Sequence, residues 1–138
     1  MSQFFAIHPE TPQLRLVRQA VEILRSGGVI AYPTDSAYAL GCRLGDKRAL
    51  ECIRRIRKLD DNHNFTLVCP DLSVLGTYAK VDNSAYRLIK NATPGPYTFI
   101  LHSSNKLPKL LNSTKKTVGV RVPDHNIPRT IIKQLGNP

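Results

Sequence analysis

The stretch GGVIAYPTDSAYALGC, residues 27–42, decides the fold. Its two glycines end the preceding segment, because glycine is the usual stop of a helix. The apolar residues 29–32 predict a short buried strand, which ends at Pro33 because proline cannot donate to a central ladder. The polar residues Thr34, Asp35 and Ser36 then form a loop before a second predicted strand at residues 38–42. The stretch therefore predicts a strand, a polar loop and another strand.

Helical and strand patterns alternate on both sides of this stretch. The further predicted elements include helices over residues 13–26, 46–58 and 82–91, strands over residues 64–69, 97–102 and 117–122, and a last helix capped by Asn126. Asp46 and Asp82 are expected to cap the helices that they precede. Alternating helices and strands predict a layered α/β fold in a single domain.

Composition and cysteine usage indicate a cytoplasmic protein. Of the 138 residues, 41% are hydrophobic, which is enough for a core. The longest apolar runs are far shorter than the about 20 residues that cross a bilayer, and the N-terminus lacks the pattern of a secretory signal. The three cysteines are odd in number and are not spaced as Cys-x-x-Cys, which favours a reducing compartment. No membrane partner is expected.

The charge of the chain predicts an anionic partner. Twenty basic residues oppose ten acidic residues, for a net charge of +10, and no acidic residue lies between Asp82 and Asp124. Such a field attracts polyanions and speeds their encounter with the protein. From charge alone, RNA, ATP and an anionic membrane surface all fit this pattern. A basic surplus that serves solubility alone is the alternative.

The loop at Thr34, Asp35 and Ser36 is the first candidate site. It follows a buried strand, at the end of the strand where open α/β sheets place their ligands. The hydroxyls of Thr34 and Ser36 suit a small polar substrate or phosphate oxygens. An ordinary turn stabilised by these side chains is the alternative.

The helix over residues 46–58 offers a second candidate. Most of its charged residues share one side of the helical wheel, and Arg54, Arg55 and Lys58 are among them. Arg57 instead falls at the apolar edge, about 20° from Leu50 at 100° per residue. A guanidinium at a buried edge needs an anion, so Arg57 is expected to face a ligand. An internal salt bridge is the alternative.

The strand over residues 117–122 offers a third candidate. Side chains alternate along a strand, so Thr117, Gly119 and Arg121 share one face. Gly119 leaves room for a ligand to approach closely, and the guanidinium of Arg121 suits a carboxylate or a phosphate. An ordinary edge strand with a solvated face is the alternative.

Several common catalytic signatures are absent from the sequence. It contains no Gly-x-x-x-x-Gly-Lys-Ser/Thr loop, no Gly-x-Gly-x-x-Gly motif and no Gly-x-Ser-x-Gly elbow. Its histidines do not have metal-ligand spacing with cysteine or acidic residues, so no protein-bound metal is predicted. Chemistry on a phosphoryl group here rests on positioning and charge neutralisation, and no catalytic nucleophile is predicted.

These motifs, in this order, resemble the YrdC/YciO family, and its YciO branch most closely. The segments that carry the resemblance are residues 27–42, the helix end at residues 53–57, Pro94-Gly95-Pro96-Tyr97-Thr98, and Val120-Arg121-Val122-Pro123. The resemblance implies a YrdC-like fold, with a twisted, mixed, open sheet, flanking helices and a concave basic face.

Family members make L-threonylcarbamoyladenylate from L-threonine, bicarbonate and ATP with Mg²⁺, for the threonylcarbamoyladenosine modification of tRNA. Other members bind double-stranded RNA. The resemblance gives Ser36 and Arg121 contacts with threonine, and it gives Arg57, Thr117 and His63 positions near ATP. The expected RNA-binding surface combines five basic residues: Arg54, Arg55, Lys58, Lys115 and Lys116.

The sequence also departs from the family pattern. Leu59 replaces an arginine near phosphate, His63 replaces an asparagine near ATP, and Val68 replaces a histidine that helps bind threonine. A Ser-Thr-Ser-Ala-Asn segment is expected just after Pro138, so residues 1–138 are expected to form a partial domain that is inactive alone. Natural termination at a turn is the alternative. A nucleotide- and RNA-binding relative of the synthase is therefore expected, and a non-catalytic RNA-binding module or a paralogue with another small substrate is the alternative.

Overall fold

The computed structural model describes residues 2–60, 63–108, 111 and 116–138, and its helices and strands alternate as the sequence predicts. The helices are α1 (Leu14–Arg25), α2 (Lys47–Arg57), α3 (Leu75–Tyr78), α4 (Asn83–Ala92) and α5 (Asn126–Leu135), with a 3₁₀ turn at Leu72–Val74. The strands are β1 (Ile30–Pro33), β2 (Tyr38–Gly41), β3 (Thr66–Val68), β4 (Ala79–Lys80), β5 (Phe99–Ser103) and β6 (Thr117–Arg121). The α/β fold class is confirmed.

Four strands form a mixed sheet in the order β3-β6-β5-β4. Strand β3 runs parallel to β6, whereas β5 is antiparallel to both β6 and β4. Alternate residues of β6 are buried, and Val118 and Val120 pack into a core beneath the sheet with Leu67, Leu75 and Ile89. The opposite face of this sheet carries Thr117 and Arg121 of β6.

Strands β1 and β2 form a separate antiparallel hairpin, in which Ile30 pairs with Gly41 and Pro33 with Tyr38. The loop at residues 34–37 is thus the tip of the hairpin. A methyl group added at Gly41 would lie 2.8 Å from Cε1 of Tyr32, so glycine is needed there for the ring to lie over β2.

Helices α1 and α5 pack against each other and against the hairpin. Their shared core contains Val17, Ala20, Val21 and Leu24 of α1 and Ile127, Ile131 and Leu135 of α5. The apolar spacing along α1 explains this contact, because residues three and four apart share one face of a helix. Helix α5 follows β6 directly, so the two layers meet where β6 ends.

The helix caps follow the predictions for two helices and differ for a third. Asp46 accepts a hydrogen bond from the Ala49 amide at 3.0 Å, and Asp82 caps α4 in the same way. The prediction that Asn126 caps α5 was wrong. The cap is His125, whose Nδ1 accepts from the Ile127 amide, whereas Asn126 is already helical.

Candidate functional site

Arg121 and the hairpin loop meet at the end of β6. The NH2 atom of Arg121 donates to Oδ1 of Asp35 and, at 3.1 Å, to Oγ of Ser36. The Asp35 and Arg121 side chains are 13% and 18% exposed. Nε of Arg121 is buried and has no hydrogen-bond partner in the described part of the chain. The structure therefore brings together two predicted substrate-binding residues, Ser36 and Arg121, which lie 85 positions apart in the sequence.

Thr34 shapes the loop that carries Ser36. Its hydroxyl donates to the carbonyl oxygen of Ala37 at 2.5 Å and accepts from the Ser36 and Ala37 amides. The proton of this hydroxyl is used within the turn, so the structure gives Thr34 a turn-forming role. Its expected contact with a substrate stays a prediction. The exposed Ser36 hydroxyl, 3.2 Å from that of Thr34, is better placed to reach a ligand.

Asp35 is held as a carboxylate by two elements. Its Oδ2 accepts from the Asp124 amide at 2.9 Å, while Oδ1 accepts from Arg121. Partial burial opposes ionisation, but the Asp124 amide and the guanidinium outweigh it and lower the pKa of Asp35. Nearby, burial raises the pKa of Tyr32 although the positive charge of Arg121 lowers it. The site therefore holds one paired positive and one paired negative charge at neutral pH.

The face of the four-stranded sheet that points away from its core is called the open face here. Its residues are Thr66, Val68, Lys80, Ile100, His102, Thr117, Gly119 and Arg121, as the strand pairing places them. The prediction that Thr117, Gly119 and Arg121 share a face is confirmed by the alternating burial along β6. Lys80 and His102 extend this face in the row of Thr117.

The space above Gly119 is bordered by two threonines that the sequence analysis did not single out. A methyl group added at Gly119 would lie 3.2 Å from Cγ2 of Thr98 and 3.3 Å from Oγ1 of Thr66. Thr66 pairs with Gly119 in the register of β3 and β6, and both threonines are exposed. Thr66 could have been identified from the sequence if β3 had been predicted to pair with β6, because that pairing places Thr66 beside Gly119.

The arginines of α2 are arranged differently from the helical-wheel expectation. Arg57, expected at a buried edge, is exposed. The arginine that is sheltered is Arg54, whose side chain is 12% exposed, donates to Glu51 at 2.5 Å and lies 5.1 Å from the centroid of Phe65. The phenyl ring comes from the segment before β3, which a wheel of α2 cannot include. Nucleotide binding by Arg57 stays a prediction.

The remaining predicted residues lie around this end of α2 and at the start of β6. His63 is exposed and contacts the Phe65 ring edge to face, with centroids 5.3 Å apart. Arg55, Lys58 and Lys116 are exposed, as an RNA-binding surface requires. Lys115 lies outside the described residues. Between the described residues, no hydrogen bond or ion pair links His63 or Arg57 to Arg121, whereas Thr117 lies on the same face of β6 as Arg121.

An apolar cavity of about 110 Å³ separates the hairpin from the four-stranded sheet. Its lining includes Leu40 and Cys42 from the hairpin side, Val68 of β3, and Ile131 and Leu135 of α5. Burial raises the pKa of Cys42 to about 11, with smaller contributions from Asp46 and Cys52. The cavity therefore suits apolar groups better than charged groups.

Two kinds of feature are absent from the described part of the chain. No group of three or more His, Cys, Asp or Glu side chains within residues 2–60, 63–108, 111 and 116–138 is arranged to hold a metal ion. Within the same ranges, no helix is long and apolar enough to cross a bilayer.

Comparisons with known proteins agree on one family. Residues 22–138 match the family model Sua5_yciO_yrdC, described as Telomere recombination. YciO of Escherichia coli is 60% identical over all of this chain, which covers 68% of that protein, and its crystal structure superposes with a TM-score of 0.95 at 59% identity. The chain spans about two thirds of the length of this relative.

Relatives with a named activity or ligand are more distant. A threonylcarbamoyl-AMP synthase of Chromobacterium violaceum is 34% identical over 93% of this chain and 67% of that enzyme. The crystal structure of P. abyssi Sua5 complexed with L-threonine matches with a TM-score of 0.85 at 27% identity, over 93% of this chain and 38% of Sua5. These neighbours share the YrdC fold.

Proposed function

Because the chain belongs to the Sua5/YciO/YrdC family, which includes threonylcarbamoyl-AMP synthases, we propose that it binds a small amino acid at Arg121 and an adenine nucleotide on the open face. The observation that carries the proposal is the meeting of Arg121 and Ser36 at the end of β6. A guanidinium beside a hydroxyl suits a carboxylate. L-Threonine, the ligand of P. abyssi Sua5, is the proposed amino acid.

The open face supports the nucleotide part of the proposal. The Thr66 hydroxyl borders the space above Gly119, Thr117 shares this face, and Lys80 and His102 lie in the row of Thr117. ATP would enter with Mg²⁺ as a substrate complex, whose phosphates the basic side chains and hydroxyls attract. With bicarbonate, L-threonine and ATP would form threonylcarbamoyl-AMP and release pyrophosphate and water, and the protein would contribute positioning and charge neutralisation.

Two substitutions favour binding over full synthase activity. Val68 pairs with Arg121 in the register of β3 and β6, so an apolar side chain occupies the position where the family resemblance implies a histidine. Leu59, at the end of α2, cannot contact a phosphate as the family's arginine does. A paralogue that uses another small substrate is the alternative that these positions favour.

Calorimetric titration of the purified chain with L-threonine and with ATP and Mg²⁺ tests the proposal. Arg121→Ala should weaken L-threonine binding at least tenfold, because a charge-assisted contact is lost. Arg18→Ala removes an exposed arginine of α1 and is the matched control, which should stay within twofold of the unsubstituted protein. Equal L-threonine affinity in the Arg121→Ala variant and the unsubstituted protein would refute the amino-acid site.

RNA is a second proposed ligand, and a different surface supports it. Arg55, Lys58 and Lys116 are exposed, and the chain carries a net charge of +10. The combined variant Arg55→Ala, Lys58→Ala should weaken binding of a short RNA duplex and flatten its salt dependence by about one unit for each lost phosphate contact. L-Threonine affinity should not change. A salt slope equal to that of the unsubstituted protein would remove these residues from the RNA surface.

We also propose that residues 1–138 are one partial domain of a cytoplasmic protein, completed by a further strand between the hairpin and β3. The apolar cavity between these two elements supports the proposal, as does the greater length of the relatives. Fusing the remaining third of E. coli YciO to this chain should raise the midpoint of thermal unfolding and strengthen ligand binding. An unchanged midpoint would contradict this arrangement.

A further inference from the structure

The carboxylate of Asp35 has no part in the function proposed above, yet it links the hairpin loop to the end of β6 and to the turn before α5. Oδ1 accepts from Arg121 at the end of β6, and Oδ2 accepts from the Asp124 amide in the turn before α5. The residue itself belongs to the loop of the hairpin, 86 positions before Arg121. Because both oxygens are engaged by separate segments, the position of this negative charge is fixed.

This arrangement engages the NH2 end of the Arg121 guanidinium. Its NH2 atom carries two hydrogens, and its two acceptors are Asp35 and Ser36. The adjacent carboxylate also cancels much of the positive charge that an incoming anion meets. Arg121 in this setting is therefore one half of a fixed pair of opposite charges, which differs from an open cationic site.

We propose that Asp35 is a specificity-determining residue, which makes the Arg121 site accept zwitterionic amino acids and discriminate against dianions. The inference rests on the proposed amino-acid function of this site. The ammonium group of an amino acid is attracted to the Asp35 carboxylate while its carboxylate is attracted to Arg121. A dianion meets the same carboxylate with no ammonium group to offset the repulsion.

Two observations strengthen the inference. The pKa of Asp35 is lowered, so the repelling charge is present throughout the neutral range. The two side chains are 13% and 18% exposed, so bulk water screens their charges less than it would screen charges at the surface. The exposed Ser36 hydroxyl accepts from the same guanidinium and can release it to a ligand carboxylate.

The test compares L-threonine with sulfate, a dianion, by calorimetric titration at constant ionic strength and pH 7. In Asp35→Asn, sulfate should bind about tenfold more tightly, whereas the affinity for L-threonine should change less than threefold because gains at its carboxylate offset losses at its ammonium group. Asp35→Glu should keep the unsubstituted preference. Glu22→Gln removes an exposed negative charge on α1 and should also keep it.

A ligand series on the unsubstituted protein tests the same idea without any change in folding. 3-Hydroxybutyrate has the carboxylate and hydroxyl of threonine but no ammonium group, and it should bind at least tenfold more weakly than L-threonine. Equal affinities for these two ligands would overturn the role of Asp35, as would an unchanged sulfate-to-threonine ratio in a folded Asp35→Asn protein. Loss of the amino-acid site itself has a different signature, because L-threonine binding would then not depend on Arg121.

Discussion

The ion pair between Asp35 and Arg121 joins the hairpin to the four-stranded sheet, and a double-mutant cycle measures its contribution to folding. The variants are Asp35→Ala, Arg121→Met and the combination of both. Breaking a buried pair costs about 3–5 kcal/mol, and an exposed pair contributes about 0.2–1 kcal/mol. With side chains 13% and 18% exposed, we expect each single variant to lose about 2 kcal/mol of unfolding free energy.

The second substitution should cost less than the first, because the pair is already broken. We expect a coupling energy of about 1–2 kcal/mol from urea unfolding followed by circular dichroism. The same loss should lower the midpoint of thermal unfolding by about 8 °C in each single variant, at about 4 °C for each kcal/mol in a domain of this size.

The pH dependence gives the cycle an internal check. The pKa of Asp35 is lower in the folded protein than its ordinary value of 3.8, so its stabilisation is full above that value. It is lost as pH falls through the folded pKa, because the carboxyl group is then protonated in both states. The difference in unfolding free energy between the unsubstituted protein and Asp35→Ala should therefore be constant above about pH 5 and shrink below about pH 4.

The unfolding free energies of the two proteins must be subtracted because Asp71 also has a lowered pKa, owing to its hydrogen bonds with Ser73. Its contribution is the same in both proteins and cancels. We expect each single variant to lose about 2 kcal/mol of unfolding free energy. Losses below about 0.5 kcal/mol with no coupling energy would refute the view that this pair holds the hairpin to the four-stranded sheet. A difference that does not change down to about pH 3 would refute the ionised carboxylate as its source.

Three further predictions concern other features. Gly119→Ala places a methyl group 3.2 Å from Cγ2 of Thr98 and should weaken ATP binding severalfold in a titration. The control Gly76→Ala adds a methyl group with no atom within 4 Å and should bind ATP normally. Equal ATP binding by both variants would contradict a role for the space above Gly119 in nucleotide binding. Asp46→Ala removes the cap of α2 and should cost about 1 kcal/mol in urea unfolding, and no loss would mean that water replaces the cap. Cys42 has a pKa of about 11, so only about one-thousandth of its thiol is thiolate at pH 8. It should therefore react slowly with a disulfide reagent until the protein unfolds, and fast reaction of Cys42 in the folded protein would contradict its burial.

Local periodicity predicted most of the helices and strands. The alternation of residues 117–121 placed Arg121 and Gly119 on one face and Val118 and Val120 on the other, as the structure confirms. This worked because the period of a strand depends only on its own backbone. The caps at Asp46 and Asp82 were predictable for the same reason, since the side chain bonds within its own first turn.

Contacts between distant segments could not be predicted in this way. The helical wheel placed Arg57 beside the apolar side of α2, but burial also depends on what covers a helix. Phe65, which follows the segment after α2, lies beside Arg54, and Arg57 is exposed. Asp35 was visible as a polar loop residue, yet its partner is 86 positions away.

The apolar side chain of Val68 makes the charge of Asp35 more important for ligand discrimination in the proposed site. The register of β3 and β6 places Val68 beside Arg121, at the position where relatives are expected to have a histidine that helps bind threonine. A valine side chain cannot donate a hydrogen bond or attract a charge, so in the proposed site the direction of a bound amino acid would be set by other groups. Among the described residues, the hydrogen-bond acceptors of the Arg121 NH2 atom are the Asp35 carboxylate and the Ser36 hydroxyl. Since the hydroxyl is neutral, the carboxylate is the contacting group whose charge can distinguish the ammonium end of a ligand from its carboxylate end.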